Sequence, residues 1–235
     1  MNWGDDELSK FLTSAHINQR TSHRTLRPDY EILRELDALF LFAAERLRNP
    51  TPAITGTLYL RAFYAYRAAA GLALAGQVVE AFAIMRVALE SAGYCLRVAK
   101  DPSLEEVLIS RHAGAAEMKK QKTAFKMENV IASIAKSDGK LAQVFKDFYQ
   151  RTIDFGGHPN QHALFAPMDM VERDGEVMLT SFAFAVDEIN LRHAIRSTAQ
   201  VGLTSLHVLQ HVFTAKFELL GIRERLAVLR SYSGL

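Results

Sequence analysis

The chain of 235 residues has few of the features that assign a protein at sight. It has one cysteine, Cys95, so disulfides play no intramolecular role and a reducing, cytoplasmic setting is the expectation. It has little charge of either sign in excess. Its 28 Lys and Arg oppose 26 Asp and Glu, and a net +2 gives no strong pull toward nucleic acid or an anionic membrane. Glycine-rich phosphate loops, nucleophile elbows, zinc motifs and kinase signatures are all missing. There is no internal repeat and no linker long enough to separate a second domain. The opening MNWGDDELSK is acidic and lacks the apolar centre of a signal peptide. The longest uncharged run, residues 197–215, could span a bilayer by length alone. Its Ser, Thr, Gln and two His argue instead for a buried bundle helix and no membrane partner.

What the chain does have is helix. Hydrophobic residues make up 49% of it, enough to bury one sizeable core. The most apolar long segment runs from Gly76 to Lys100, yet it keeps Arg86, Glu90, Tyr94 and Arg97 at i, i+4, i+8 and i+11, one narrow stripe of a helix. Little of this helix is left for water, so its charges are either buried or line a cleft. Two readings follow. The stripe is an interior ion-pair network that fixes helix register, or it is the floor of an anion site, with an arginine fork on a carboxylate or phosphate and Glu90 orienting it.

Around this segment the chain reads as a single helical domain, 1–235. Residues 1–27 form a helix, Asp5 to about Gln19, and a polar, basic connector; 28–155 are a helical core; 156–185 are a loop and β-hairpin; 186–235 are C-terminal helices. Pro28 opens the second helix, Asn49-Pro50 stops it, and Thr51-Pro52 opens a third that runs to about Ala75. The small residues of 68–76 let this helix approach the 76–100 helix closely, as an antiparallel hairpin after a very short turn at Gly76. A single longer helix is expected from Ser103 to about Ser137, with Lys119, Lys120, Lys122 and Lys126 on a solvated face or, less simply, an RNA-binding strip. After Ser137-Asp138-Gly139 an amphipathic helix ends at Gly156-Gly157. Two apolar–polar runs flank Asp174-Gly175, which predicts a hairpin near 168–184. One long helix is expected from Asp187 to Leu220, and a short basic one after Gly221. The fold class is therefore all-α: one bundle of about seven to eight helices with one β-hairpin insertion.

Few residues could carry chemistry. His158 follows two glycines and precedes a proline, in a loop leaving the helix that holds Tyr149 and Arg151. It either exchanges protons with a ligand or docks its own loop on the bundle. His207 and His211 stand at i, i+4, but no Asp, Glu or Cys lies at ligand spacing, so two interior histidines are expected and no metal or cofactor.

The order of these pieces resembles a known group. An aromatic- and alanine-rich helix, then MRVALESAGYCLRV, then Arg111-His112, then FGGHPN resembles bacterial helical proteins grouped with the HEPN-like domains (higher eukaryotes and prokaryotes nucleotide-binding). The resemblance covers roughly Pro50 to Ala215. It implies a dimeric helical protein, and in many members a metal-independent ribonuclease with an Arg-x4–6-His motif, whose spacing Arg151 and His158 match. His112 joins Arg86, Glu90, Tyr94 and Arg97 as a ligand-binding candidate. The sequence reading is thus a ligand-binding or protein-interaction module without turnover, with the ribonuclease of Arg151 and His158 as its alternative. A hairpin that adds to a partner implies a homodimer. Sedimentation at micromolar concentration should then give twice 26.3 kDa, and a strictly monomeric profile would count against the pair.

Overall fold

A computed structural model of the chain describes residues 4–157, 168–173, 176–185 and 187–232. Its centre is the hairpin of α3 (Ile54–Ala75) and α4 (Val78–Lys100), which make the most extensive helix contact in the molecule. Gly76 closes α3 at φ +83°, a conformation only glycine adopts without strain, and the N–H of Gln77 returns to the Leu72 carbonyl at 2.9 Å. Above α3 lies α2 (Arg27–Ala44), joined to it by a pile of aromatic rings. Phe40 stacks on Phe63 and Tyr66, with ring centroids 5.3 Å apart in both pairs. The hydroxyls of Tyr59 and Tyr66 donate to the Phe40 and Leu33 carbonyls at 2.9 and 2.7 Å, so neither ring buries an unpaired O–H.

The N-terminal helix is longer than its sequence suggests. α1 spans Glu7–Thr25, through the segment expected as a connector. The reason is tertiary: Asn18, Ser22 and Gln19 donate to the carbonyls of Ala75, Leu74 and Gly71, in the last turns of α3. Carbonyls at a helix end lack partners of their own, so the polar side chains of a helix laid across them satisfy both elements.

The expected helix of 103–137 does not exist as one piece. It is α5 (Leu104–Ile109), a 3-10 turn (Ser110–His112), α6 (Ala115–Ala124) and α7 (Met127–Ala135). Arg97 reaches from α4 into the α6–α7 break, where Nε donates to Ala124 O at 2.7 Å and Nη1 to Asn129 O at 3.2 Å and Ser133 Oγ at 2.9 Å. Asn129 Nδ2 closes the break from the other side on Thr123 O at 2.9 Å. A guanidinium supplies several donors in a fixed fork, so the break costs little in unpaired carbonyls.

α8 (Gly139–Thr152) begins on an Asp138 cap that accepts from the Lys140 and Leu141 N–H groups, and it runs on into a wide turn at Ile153–Gly157. Gly156 is required for close approach: a Cβ there would lie 2.2 Å from the Val79 carbonyl of α4. α9 (Glu188–Gln210) crosses α4, α3 and α2, burying much of 194–209, including most of the long uncharged run. Asp29 of α2, only 6% exposed, meets Arg196 Nε of α9 at 3.1 Å. The chain then turns into α10 (Thr214–Leu219) and α11 (Ile222–Tyr232), so the helix expected to reach Leu220 stops ten residues short.

These breaks correct the expected architecture. Eleven α-helices are present among the described residues, not seven or eight. The hairpin insertion expected near 168–184 is no layer of the fold: the body is helical and its core forms from helices alone. Residues Met168–Arg173 and Glu176–Ser181 are extended and pair antiparallel only with each other, with no extensive contact to any helix. Among the described residues no helix is long and apolar enough to cross a membrane.

If Arg97 holds the α6–α7 break, Arg97→Met should lower stability by roughly 2–4 kcal/mol, since two carbonyls and a hydroxyl lose a charged donor. Urea denaturation would read this as a lower midpoint. A variant that melts like the wild type would remove Arg97 from the framework.

Candidate functional site

Arg86, Glu90 and Tyr94 leave α4 on one side and converge on a cleft of about 230 Å³. The facing wall comes from elsewhere in the chain: Arg111 from the 3-10 turn, Gln121 and Lys122 from α6, and Tyr149 from α8. Arg86 Nε donates to Glu90 Oε1 at 2.8 Å, and the Tyr149 hydroxyl donates to the same oxygen at 3.1 Å. The Arg86 guanidinium carbon also lies 5.1 Å from the Tyr149 ring centroid, within cation–π range. Tyr94 and Phe125 close the end of the cleft, with ring centroids 4.7 Å apart and the Tyr94 hydroxyl on the Phe125 carbonyl at 3.4 Å.

The electrostatics follow from this arrangement. Burial works against the Arg86 charge, but the Glu90 bond and the Tyr149 and Glu90 fields outweigh it and hold the guanidinium pKa above its ordinary value. Burial first, and then the Glu90 carboxylate, push the Tyr149 phenol up to about 12 and raise that of Tyr94. Both phenols are therefore hydrogen-bond donors near neutral pH and not bases. Three cations, Arg86, Arg111 and Lys122, face one carboxylate, which leaves two positive charges in excess. Neither Arg111 nor Lys122 has an ion-pair partner among the described residues. Gln121 is 4% exposed, and its Oε1 finds no hydrogen-bond partner there. Such a pocket can hold an anion that also donates a hydrogen bond.

Of the other residues singled out in the sequence, Arg97 is spent on backbone carbonyls and does not line the cleft. His112 is exposed on the 3-10 turn and stays outside, whereas its neighbour Arg111 enters. Arg151 donates to Gln200 Oε1 at 3.1 Å and lies 5.0 Å from the Phe148 ring centroid. His158 lies outside the described residues. The histidine whose field Arg151 does reach is His193, packed on the rings of Phe82 and Phe155, with a pKa lowered by burial and by that arginine. Cys95 is buried with its thiol on the Thr55 carbonyl, and burial pushes its pKa up, away from nucleophilic use. Among the described residues no group of three or more His, Cys, Asp or Glu could hold a metal ion.

Comparison with family models, with curated proteins and with solved structures finds no match, so the chemistry rests on the residues themselves. Sequence reasoning missed four of them. Gln121 carries no local mark, Arg111 stood out only as the neighbour of His112, and Lys122 was one lysine in a run of four. Tyr149 had one weak signal, its place on the amphipathic helix before FGGHPN.

Glu90→Gln tests the network. It should lower stability by about 1–2 kcal/mol, because a part-buried Arg86 loses its charge partner. The Tyr149 phenol, relieved of the carboxylate, should also ionise at lower pH than in the wild type. Spectrophotometric titration of the wild type and the variant reads this directly, and superimposable curves would contradict it.

Proposed function

We propose that this protein is a helical binding module for a small polar anion, with no catalytic turnover, and that the Arg86 cleft is its site. The observation that carries this reading is the pair of cations, Arg111 and Lys122, set opposite an Arg86–Glu90 bridge that is already complete. An ion pair satisfied within α4 contributes rigidity, and the two further charges have nothing to neutralise them among the described residues. A phosphate or carboxylate of the ligand would lie between Arg111 and Lys122. A hydroxyl or amine on the same molecule would donate to Gln121 Oε1, a buried acceptor with no partner among the described residues. The absence of turnover is supported by the groups that line the cleft. Its phenols hold their protons, its carboxylate already accepts two hydrogen bonds, and among the described residues neither a thiol nor a hydroxyl–imidazole pair faces it.

Calorimetric titration with glycerol phosphate, beside inorganic phosphate, tests the reading. The wild type should bind the ester more tightly than the bare ion. Arg111→Ala and Lys122→Ala should each weaken it by about tenfold to a hundredfold, the loss of one charged hydrogen bond. Both residues are at or near the surface, so melting points should stay close to wild type. Affinity unchanged in both variants would overturn the assignment. Release of inorganic phosphate by wild type but not by the variants would replace it with an enzyme. Binding of single-stranded RNA that collapses with added salt, and that glycerol phosphate cannot displace, would replace it with a nucleic-acid surface over the α6 lysines.

A further inference from the structure

A second cavity lies on the other side of α8, between its first turns, the C-terminal half of α9, and α11. Its volume is about 360 Å³, within the range of small-molecule sites. One wall is apolar: Leu141, Val144 and Phe148 from α8 face Leu203 of α9. The other is basic. Arg223 and Arg230 of α11 stand over His207 and His211, which are neutral near pH 7 because burial and the surrounding cations lower both pKa values. Arg230 has no ion-pair partner among the described residues, and Arg223 has only Glu218 at the surface. Asp138 is the one carboxylate at the rim, and its oxygen is committed to capping α8 through the N–H groups of Lys140 and Leu141. Deeper in, His207 Nε2 and Gln210 Oε1 are shielded from solvent; the Gln210 side chain acts on the His207 ring, and neither atom has a well-formed hydrogen bond to another described residue.

Such a cavity suits neither a fully polar ion nor a hydrocarbon. Phosphate would leave the Leu141, Val144 and Phe148 wall in contact with water, and an alkane would leave the charge of Arg230 without a partner. We propose that it is a second binding site, independent of the Arg86 cleft, for a small amphipathic monoanion: a carboxylate held by Arg230 and Arg223, on a short alkyl or aryl body lying against the α8 wall. With the histidines uncharged, the cations of the wall are Arg223, Arg230 and, at the rim, Lys140, set against the Asp138 carboxylate, so a single negative charge on the ligand meets an excess of positive charge. The bridge from Arg223 to Glu218 is exposed and exchanges readily for a ligand carboxylate.

Calorimetric titration of the full chain with octanoate, n-octanol and octylammonium decides the matter. Octanoate should bind, the alcohol should bind at least about tenfold more weakly for want of the charge, and the ammonium should give no binding heat. The double variant Arg223→Gln, Arg230→Gln should lower octanoate affinity to that of the alcohol while leaving the alcohol unchanged. Val144→Trp, at a partly exposed position on the rim, should block both without shifting the melting point. Equal binding of octanoate and octanol, an unaltered double variant, or no heat from any carboxylate between butyrate and decanoate would overturn the proposal. So would octanoate binding lost in Arg111→Ala or Lys122→Ala, since that would place the ligand in the Arg86 cleft.

Discussion

The left-handed turn at Gly76 is the constraint on which most of the molecule depends. By reversing the chain over two residues, Gly76 and Gln77, it lays α4 along α3 with alanines of both helices in the core, and it leaves the last α3 carbonyls without helical partners. Those carbonyls then organise distant stretches of the chain. Ser22 and Asn18 of α1 take those of Leu74 and Ala75, and the Ala185 N–H takes that of Gly76 at 2.7 Å. The N-terminal helix and the approach to α9 are thus both fixed by acceptors that a helix end cannot satisfy alone. A side chain at Gly76 would be strained by the backbone and would crowd the Ala185 amide, 3.2 Å from a Cβ placed there. One glycine therefore couples local turn geometry to the docking of residues more than fifty positions away in the N-terminal direction and about a hundred in the other.

Charge inside this apolar framework is handled in three different ways. Asp29 is buried and drawn upon by arginines one turn apart on α9, Arg196 at 3.1 Å and Arg192 at 3.6 Å, which locks α9 against α2. Arg97 is satisfied by carbonyls and a hydroxyl, so its charge is spread over dipoles with no carboxylate involved. Arg86 has a carboxylate partner in Glu90, and then further cations gather around the pair. The first two arrangements are complete. Beside the third, Arg111 and Lys122 have no ion-pair partner among the described residues, and that separates a site from a brace.

The α3–α4 hairpin was legible because its signals are local: a run of small residues, one glycine at the turn, and apolar positions at helical spacing on both sides. The stripe of Arg86, Glu90 and Tyr94 was legible for the same reason, since i, i+4 spacing alone places side chains on one face. The breaks within 103–137 were not, because what stabilises the α6–α7 break is Arg97, 27 residues before Ala124. Periodicity cannot register a cap delivered from another helix. The α1 extension failed to show for a related reason: a polar stretch with weak helical signal becomes helix because α3 offers acceptors for it. His112 and Arg111 illustrate the limit at single-residue scale. They are adjacent in sequence, and a 3-10 turn sends one into the cleft and the other to solvent.

Helix α8 explains how one small bundle can present two pockets of different character. Its buried face, Leu141, Phe145 and Thr152, packs on the core and fixes its rotation. Val144 and Phe148, at i and i+4, then lie on one flank and Tyr149 on the other, because each residue advances the direction by about 100°. The flank toward α6 meets Arg86, Glu90, Arg111 and Lys122, and the phenol of Tyr149 completes a polar wall. The flank toward α11 meets Leu203 and the arginines of α11, and its own side chains are apolar. A ligand that suits one pocket is wrong for the other: a compact polyhydroxy anion finds no donors or acceptors along Val144 and Phe148, and an alkyl chain finds little apolar surface between Arg86 and Lys122, where Phe125 and Met127 lie at the end of a polar cleft. The two sites can therefore discriminate by chemistry alone, with α8 as the rigid partition between them.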